Sequence, residues 1–223
     1  MAKLTSSVTR HATLGKKLAA QKETVGLYGR IAPVYDALYG TLLQPGRRVA
    51  KARLAPKPGE RILEIGVGTG FDLVTYPDRC TVVAIDLSPS MIARADARRR
   101  RHRLAHIALC RMDGAALAFA THTFDAVYAP YVINLVPDPV AVAREMLRVC
   151  RPEGRVVLLN HFDHPGESNT PARRVLGRVA SKLTGVNWNL ALIEFIRESG
   201  LRLESIESVN LANVSTVVVC RKA

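Results

Sequence analysis

Residues 61 to 71 read Arg-Ile-Leu-Glu-Ile-Gly-Val-Gly-Thr-Gly-Phe, an apolar run that passes through Glu64 into three glycines at alternate positions. A short apolar run bounded by glycines is typical of a strand. A glycine turn after a strand lets the backbone approach a bound ligand closely, because glycine has no Cβ. This stretch therefore predicts a strand followed by a ligand-binding turn.

The spacing of the glycines indicates the class of ligand. Dinucleotide-binding turns usually carry G-x-G-x-x-G, whose third glycine lets a helix start close behind the pyrophosphate. Gly66, Gly68 and Gly70 form the shorter G-x-G-x-G, and the carboxylate of Glu64 would repel phosphates but suit a ligand with an amino group. S-adenosylmethionine has an ammonium and a sulfonium and no phosphate. The turn therefore favours this cofactor.

Two further carboxylates follow in the order that this cofactor needs. Asp86 ends a second apolar run, 20 residues beyond Gly66, where a carboxylate can accept both ribose hydroxyls. Met112, Asp113 and Gly114 follow a third run, where an adenine amino group would need an acceptor. The simpler alternatives are a plain strand-to-helix turn at the glycines and an N-cap at Asp86. The three pieces together favour the cofactor.

Strand and helix patterns alternate from residue 61 to residue 159, which specifies a parallel sheet with helices on both faces. Two apolar runs near the end are separated by a short turn containing Asn, so a hairpin and an antiparallel last strand inserted beside the parallel sheet are expected. Pro45 and Gly46 are expected to break any helix there. One predicted strand begins at residue 61, and the others cover 80–86, 105–111, 124–129, 155–159, 201–208 and 215–220. Helices are predicted after the glycine turn and at 89–101, 139–149 and 190–199.

The composition bounds the domain count and the compartment. A chain of 223 residues is long enough for one α/β domain, expected at 45–223, plus a basic helical extension at 1–44. Its four cysteines form no C-x-x-C pair, which favours reduced thiols in a cytosolic protein over disulfides or a metal site. The sequence shows no secretory h-region and no run of eighteen apolar residues, which argues against secretion and membrane spanning.

The formal net charge of +13 predicts an anionic partner, which composition alone leaves open between nucleic acid, a membrane surface and an acidic substrate. The first basic cluster lies on a weakly amphipathic N-terminal segment. A solvated helix packed on the domain is the alternative for that segment. The basic residues of the three clusters are Lys3, Arg10, Lys16, Lys17 and Lys22; Arg94, Arg98–Arg101 and Arg103; and Arg173, Arg174, Arg178 and Lys182.

An insertion at about 162–188 contains Pro165, Gly166 and Pro171 and then a basic amphipathic pattern. Insertions after the fifth strand lie at the carboxyl edge of the sheet, where doubly wound folds bind ligands. We interpret the insertion as a lid or a substrate-side surface. A surface loop without function is the alternative.

Several segments together resemble the class I S-adenosylmethionine-dependent methyltransferases: Glu64–Gly70, Asp86, Asp113, Phe124-Asp125, and Arg151-Pro152-Glu153-Gly154 before Arg155. The resemblance covers about residues 58–221. It implies a Rossmann-like, doubly wound α/β sheet of seven strands with an antiparallel last strand, in agreement with the hairpin predicted from the residues.

Further segments resemble the soluble bacterial phosphatidylethanolamine N-methyltransferases: Tyr35-Asp36, Tyr39-Gly40, 128–134, 137–139 and 159–162. This resemblance implies methylation of phosphatidylethanolamine towards phosphatidylcholine by a cytoplasmic monomer resting on the anionic inner face of the cell membrane, with no nucleic-acid partner. Quinone-precursor methyltransferases share the tyrosines and the glycine loop, so a quinone precursor or another small molecule is the alternative substrate. RNA is a weaker alternative, because no RNA-binding module is visible.

The resemblance also implies residue roles. Tyr28, Tyr35 and Tyr39 are expected to fold over the sulfonium, to which aromatic faces are favourable. His161 is the candidate base whose ordinary pKa suits proton transfer near neutrality, with a structural hydrogen-bonding role and desolvation of the amine with water as proton acceptor as alternatives. The expected cofactor residues are Tyr28, Tyr35, Glu64, Gly66, Gly68, Gly70, Asp86, Leu87, Met91, Met112, Asp113, Gly114 and Ala129; the catalytic ones are His161, Tyr131 and Asn160; the substrate and membrane ones are Tyr39, Asn134, Lys3, Arg10, Lys16, Lys17, Lys22, Arg173 and Arg174; the product cofactor is S-adenosylhomocysteine.

Overall fold

A seven-stranded sheet organises the computed structural model, which describes residues 43–163, 190–210 and 214–222. The strand order in this sheet is β3-β2-β1-β4-β5-β9-β8. Its strands are β1 (Arg61–Ile65), β2 (Thr81–Asp86), β3 (Ile107–Arg111), β4 (Phe124–Pro130), β5 (Cys150–Asn160), β8 (Leu201–Val209) and β9 (Ser215–Lys222). The helices among these residues are α1 (Gln44–Leu54), α2 (Pro89–Arg101), α3 (Pro139–Val149) and α4 (Leu192–Ser199).

Strands β1 to β5 are mutually parallel, and β9 runs antiparallel between β5 and β8. The predicted hairpin and the inserted antiparallel strand are both confirmed. The strand order reverses between β1 and β4, which pair directly with each other. In open α/β sheets such a reversal opens a crevice at the carboxyl ends of the strands, where ligands bind.

Both faces of the sheet are covered, so its central strands are predominantly apolar. On one face, Leu63 and Ile65 of β1 pack with Met146 and other residues of α3 and α4. On the opposite face, Ile62 packs with Tyr128 and with Leu54 of α1. Burial on both faces explains why the strands read as continuous apolar runs.

The segment after the glycine turn differs from the prediction. Instead of a helix, it forms a single 3₁₀ turn, Leu73–Thr75, followed by an extended Tyr76. A proline disfavours the helical conformation of the residue before it. Pro77 therefore ends the turn at Tyr76. The extended backbone there lets the Tyr76 hydroxyl reach Glu64, at 2.6 Å.

The prediction that Pro45 and Gly46 break a helix is wrong, because they lie in the first turn of α1. Proline is tolerated there, since the first N–H groups of a helix have no partner inside it. The N–H of Gly46 is satisfied from outside the helix by Asn210 Oδ1, at 2.7 Å. A Cβ at position 46 would lie 2.8 Å from Asn210 Nδ2, so this contact requires glycine.

The last predicted helix begins two residues later than expected, because Leu190–Ala191 forms a short strand, β7, before α4. This strand pairs in parallel with β6, Phe162–Asp163. Residues 164–188 of the insertion predicted at 162–188 lie outside the described residues, as do residues 1–42 of the N-terminal extension. Among the described residues, no helix has the length and apolar character needed to cross a membrane.

Helix α1 is held on the sheet by a buried ion pair and by an exposed one. The Arg47 guanidinium pairs with Asp72, whose side chain is 2% exposed, and Asp72 also accepts a hydrogen bond from the Tyr128 hydroxyl at 3.3 Å. Arg53, two turns later, pairs with Glu207 of β8 at 2.7 Å, where both side chains are exposed. A buried pair loses far more than a surface pair when one partner is removed, because the remaining charge has no water to solvate it.

Arg47→Met is expected to lower the free energy of unfolding by about 3–5 kcal/mol, because it leaves the Asp72 carboxylate buried without its countercharge. The matched change Arg53→Met, on the same helix, is expected to cost about 0–1 kcal/mol, since water solvates Glu207. Urea denaturation followed by circular dichroism measures both. Equal losses in the two variants would contradict a special role for the buried pair.

Candidate active site

The five parallel strands end at one edge of the sheet, and the loops that follow them meet there. These loops begin at Gly66 after β1, Leu87 after β2, Met112 after β3, Tyr131 after β4 and His161 after β5. Most of the described residues that the sequence singled out therefore lie at the carboxyl edge, on both sides of the reversal in strand order.

The glycine turn is held tightly at its base and is open at its centre. The N–H groups of Gly66 and Val67 donate to the Ile85 carbonyl at 2.8 and 2.9 Å, which ties the turn to the end of β2. Gly66 has φ +73° and faces Val132, and a Cβ at this position would lie 2.6 Å from Val132 Cγ2. Gly68 has φ +55°, and a Cβ there would meet no atom within 4 Å. The backbone at Gly68 is therefore accessible from outside.

Asp86 joins the glycine turn to the start of α2. One carboxylate oxygen accepts from Gly68 N–H at 2.9 Å and the other from Ser88 N–H at 2.9 Å. Burial raises the pKa of Asp86, while the backbone N–H groups act in the opposite direction. The N-cap of α2 is Ser88, which accepts from Met91 N–H, so Asp86 is not the cap. Each Asp86 oxygen keeps a second lone pair for a ligand hydroxyl.

The segment after β3 lies beside Asp86. The N–H of Met112 donates to the Asp86 carbonyl at 3.1 Å, and Asp113 is exposed while accepting from Ala115 N–H at 2.9 Å. Gly114 packs near Ile65 of β1. Ala129, by contrast, is fully buried in the core and offers no side-chain surface at this edge.

Glu64 lies behind the glycine turn in a buried polar cluster. Its side chain is 1% exposed; Lys51 Nζ of α1 lies 3.8 Å from Oε2 and packs against the rings of Tyr76 and Tyr128. Burial raises the pKa of Glu64, although the Lys51 charge opposes this, and burial lowers the pKa of Lys51 to about 8. Glu64 therefore links the end of β1 to α1 and to Tyr76.

Tyr131 and His161 lie side by side on the other half of the edge, with ring centroids 5.6 Å apart. Tyr131 has φ +56°, which is strained for a bulky residue, and its N–H donates to Leu159 carbonyl. His161 Nδ1 lies 2.6 Å from the Val214 carbonyl. Because a carbonyl only accepts, Nδ1 carries the proton, and Nε2 of the neutral ring carries the lone pair.

Two buried amides support this half of the edge from below. Asn134 Nδ2 donates to the His161 carbonyl at 2.6 Å, and Asn160 Oδ1 accepts from His161 N–H at 3.0 Å. Within the described part of the chain, Asn134 Oδ1 and Asn160 Nδ2 have no hydrogen-bond partner. A buried amide group without a partner is costly, so each of these atoms would gain from a polar group that reached it.

Comparison with known proteins agrees with this geometry. Residues 63–158 match the model of a methyltransferase domain. A phosphatidylethanolamine N-methyltransferase from Cereibacter sphaeroides is 37% identical over 151 residues, which cover 67% of this chain and 74% of that protein. The chain belongs to the S-adenosylmethionine-dependent methyltransferases.

A further relative of this methyltransferase and one solved structure of similar fold are named for other substrates. A demethylmenaquinone methyltransferase from Beutenbergia cavernae is also 37% identical, over 64% of this chain and 60% of that protein, so the chain matches less than two thirds of its length. The solved structure of geranyl diphosphate C-methyltransferase from Streptomyces coelicolor A3(2), in complex with S-adenosyl-L-homocysteine, has a TM-score of 0.68 at 15% identity and covers 79% of this chain and 76% of that one. This likeness confirms the seven-stranded methyltransferase fold.

The cofactor S-adenosylmethionine fits the described half of the site around Gly68. The open space over Gly68 would be filled by any larger residue, the remaining lone pairs of Asp86 suit ribose hydroxyls, and exposed Asp113 lies beside it. Leu87 is half-buried at the same edge, and Met91 is buried on α2. The expected residues Tyr28, Tyr35 and Tyr39 lie outside the described residues, as do Lys3, Arg10, Lys16, Lys17, Lys22, Arg173 and Arg174.

Several residues beside these loops of the methyltransferase were not predicted from its sequence. Lys51, Tyr76 and Asp72 surround Glu64, and Asn210 and Ser215 lie beside Tyr131 and His161. The spacing of Arg47 and Lys51, one turn apart on an otherwise apolar helix face, was the available signal for the first group. The Asn in the hairpin turn was the signal for the second.

Gly68→Ala is expected to weaken the binding of S-adenosylhomocysteine at least about tenfold, because the methyl group enters the space where the ligand lies against the backbone. Isothermal titration calorimetry measures this. Gly59→Ala is the matched control: Gly59 has φ +83° and equally open surroundings, but it lies in the turn before β1 at the other edge of the sheet.

Both glycine variants are expected to lose about 1–2 kcal/mol of stability from the left-handed backbone. Only Gly68→Ala is expected to lose ligand affinity. Normal binding by Gly68→Ala would place the cofactor elsewhere.

Proposed function

We propose that this methyltransferase transfers methyl groups to the amine of phosphatidylethanolamine, and to its mono- and dimethyl forms, towards phosphatidylcholine at the membrane surface. The observation that carries the proposal is the 37% identity to the phosphatidylethanolamine N-methyltransferase from Cereibacter sphaeroides, which extends over 74% of that protein. The arrangement of the carboxyl edge and the charge of the chain support it.

Methyl transfer requires the protein to hold a neutral amine in line with the methyl group of the cofactor. Bound S-adenosylmethionine supplies a methyl group on a positively charged sulfur. A protonated amine has no lone pair with which to attack, so a group beside it must accept the proton. His161 Nε2 is the candidate, because Nδ1 is engaged by Val214 and the imidazole exchanges protons near neutrality. Positioning by Tyr131 and by the amides of Asn134 and Asn160 supplies much of the remaining acceleration of methyl transfer.

Repeated methylation requires a site that tolerates a growing, positively charged head group. The half-buried ring of Tyr131 lies next to His161 at the edge of the site. Aromatic faces attract quaternary ammonium groups without needing an N–H donor. Tyr131 therefore suits the mono- and dimethyl intermediates as well as the first substrate.

The entry of the N-terminal extension supports a membrane orientation. Gly46 at the start of α1 contacts Asn210, which in turn contacts the Tyr131 hydroxyl at 2.9 Å. The basic extension that includes Lys16 and Lys17 thus joins the domain at the carboxyl edge, close to the substrate side of the site. Each Lys or Arg near an anionic leaflet contributes about 1 kcal/mol of attraction. We infer peripheral binding to the inner face of the membrane, with the carboxyl edge towards the lipid.

The demethylmenaquinone methyltransferase that is equally identical over 60% of its length favours a second candidate, a quinone precursor. Such a substrate has no amine, and its methylation has no requirement for an anionic lipid surface. Both candidate reactions use the same cofactor half of the site. They differ in the substrate that the half around Tyr131 and His161 would bind.

The proposal predicts transfer of label from radiolabelled S-adenosylmethionine into mono-, di- and trimethylated lipid. The protein is incubated with vesicles of phosphatidylethanolamine and an anionic lipid, and the lipids are separated by thin-layer chromatography. A parallel reaction contains demethylmenaquinol in place of phosphatidylethanolamine. Label in the quinol and none in the lipid would refute the proposal.

The membrane orientation is tested with two variants of equal charge change. Lys16→Glu with Lys17→Glu is expected to reduce vesicle binding and lipid methylation about tenfold or more, because it changes the charge of the basic extension by four units and so weakens its attraction to an anionic leaflet. Arg100→Glu with Arg101→Glu changes the charge equally at the end of α2, which leads into β3 and therefore lies at the opposite edge. Equal effects of both double variants would contradict the orientation.

A further inference from the structure

Asn210, in the turn between β8 and β9, is the centre of a hydrogen-bond network at the carboxyl edge. Its Oδ1 accepts from Gly46 N–H at 2.7 Å, and its Nδ2 lies 2.9 Å from the Tyr131 hydroxyl and 2.9 Å from Ser215 Oγ. Ser215 Oγ is 3.4 Å from His161 Nδ1. One carboxamide thus connects α1 with Tyr131, and Ser215, which it also contacts, lies next to His161.

The direction of these hydrogen bonds follows from the chemistry of the groups. A backbone N–H only donates, so the atom of Asn210 that faces Gly46 is the carbonyl oxygen. The amide nitrogen then faces Tyr131, and the phenolic oxygen accepts from it. The hydroxyl proton of Tyr131 therefore points away from Asn210.

The surroundings show that Tyr131 needs such support. Its left-handed backbone is strained and persists only if neighbouring groups hold it. The Arg47 guanidinium lies 5.2 Å from the ring centroid. Burial raises the pKa of Tyr131, whereas hydrogen bonds from Ser215 and Asn210 and the Arg47 charge act in the opposite direction. Asn210 is therefore one of the groups that determine the position of this hydroxyl and the direction of its proton.

We propose that Asn210 is a positioning residue for methyl transfer, which fixes the direction of the Tyr131 hydroxyl and couples it to His161 and to the start of α1. This inference rests on the proposed role of Tyr131 and His161 at the substrate side. It assigns Asn210 no contact with substrate or cofactor.

The test uses Asn210→Asp, which keeps the shape and the acceptor for Gly46 N–H but replaces the donor that faces Tyr131. Tyr131 would then donate to the carboxylate, which reverses the hydrogen bond. The expected result is a fall in kcat of about tenfold or more, with KM for the lipid and the dissociation constant of S-adenosylhomocysteine changed less than about threefold. Asn210→Ala, which adds no charge, is expected to lower kcat in the same direction.

Glu207→Gln is the matched control, because Glu207 also links β8 to α1, through Arg53, but has no link to Tyr131. It is expected to leave kcat unchanged. If phosphatidylethanolamine is inert, kcat is measured with demethylmenaquinol, so that failure of the proposed substrate does not conceal the effect of Asn210. A fall in kcat that is equal in all three variants would indicate a merely structural link and overturn the inference.

A second readout needs no methyl acceptor. Nuclear magnetic resonance of protein labelled at tyrosine Cζ, with the Tyr131 signal assigned from Tyr131→Phe, reports the state of the hydroxyl directly. In Asn210→Asp, the signal is expected to move and to titrate at higher pH, because a carboxylate replaces a donor beside a phenol already flanked by Arg47, Asp72 and His161. The signal is expected to stay in place in Glu207→Gln. An unmoved signal in Asn210→Asp, or a moved signal with unchanged kcat, would overturn the proposal.

Discussion

The buried charges beneath the glycine turn are the constraint on which the site depends. Arg47 and Lys51 of α1 reach Asp72 and Glu64, and none of these four side chains is more than 18% exposed. Charges in such a place are stable only as partners, so α1, the glycine turn and the 3₁₀ turn have to be in place together. Because α1 also begins beside Asn210, the same constraint extends to the substrate half of the edge. The arrangement of the site and the position of α1 therefore depend on each other.

The carboxyl edge consists of two halves with different chemistry. The half formed after β1, β2 and β3 carries an open glycine and carboxylates suited to a cofactor shared by the whole family. The half formed after β4 and β5 carries an aromatic hydroxyl, an imidazole and two buried amides. The relatives from Cereibacter sphaeroides and Beutenbergia cavernae are both 37% identical to the chain and are named for different substrates, so identity in a shared fold does not by itself choose the substrate.

The sequence predicted the parts of the fold that follow from local pattern. Continuous apolar runs placed the strands, and the glycine spacing with Asp86 indicated the cofactor. Two errors had local causes that were misread: proline is tolerated in the first turn of a helix, and Pro77 disfavours a helix before it. The partners that complete these turns are distant, since Asn210 satisfies Gly46 N–H and the contact of Tyr76 with Glu64 depends on tertiary structure. Periodicity carries no information about such partners.

The central claim is that the carboxyl edge around Gly68 and Asp86 holds the cofactor and presents it to Tyr131 and His161. A crystal structure of the protein with S-adenosylhomocysteine tests this most directly. The account predicts the ligand against the backbone of Gly68, its ribose hydroxyls within hydrogen-bond distance of Asp86, and its sulfur directed towards Tyr131 and His161. A ligand bound away from this edge, or one that makes no contact with Asp86, would contradict it.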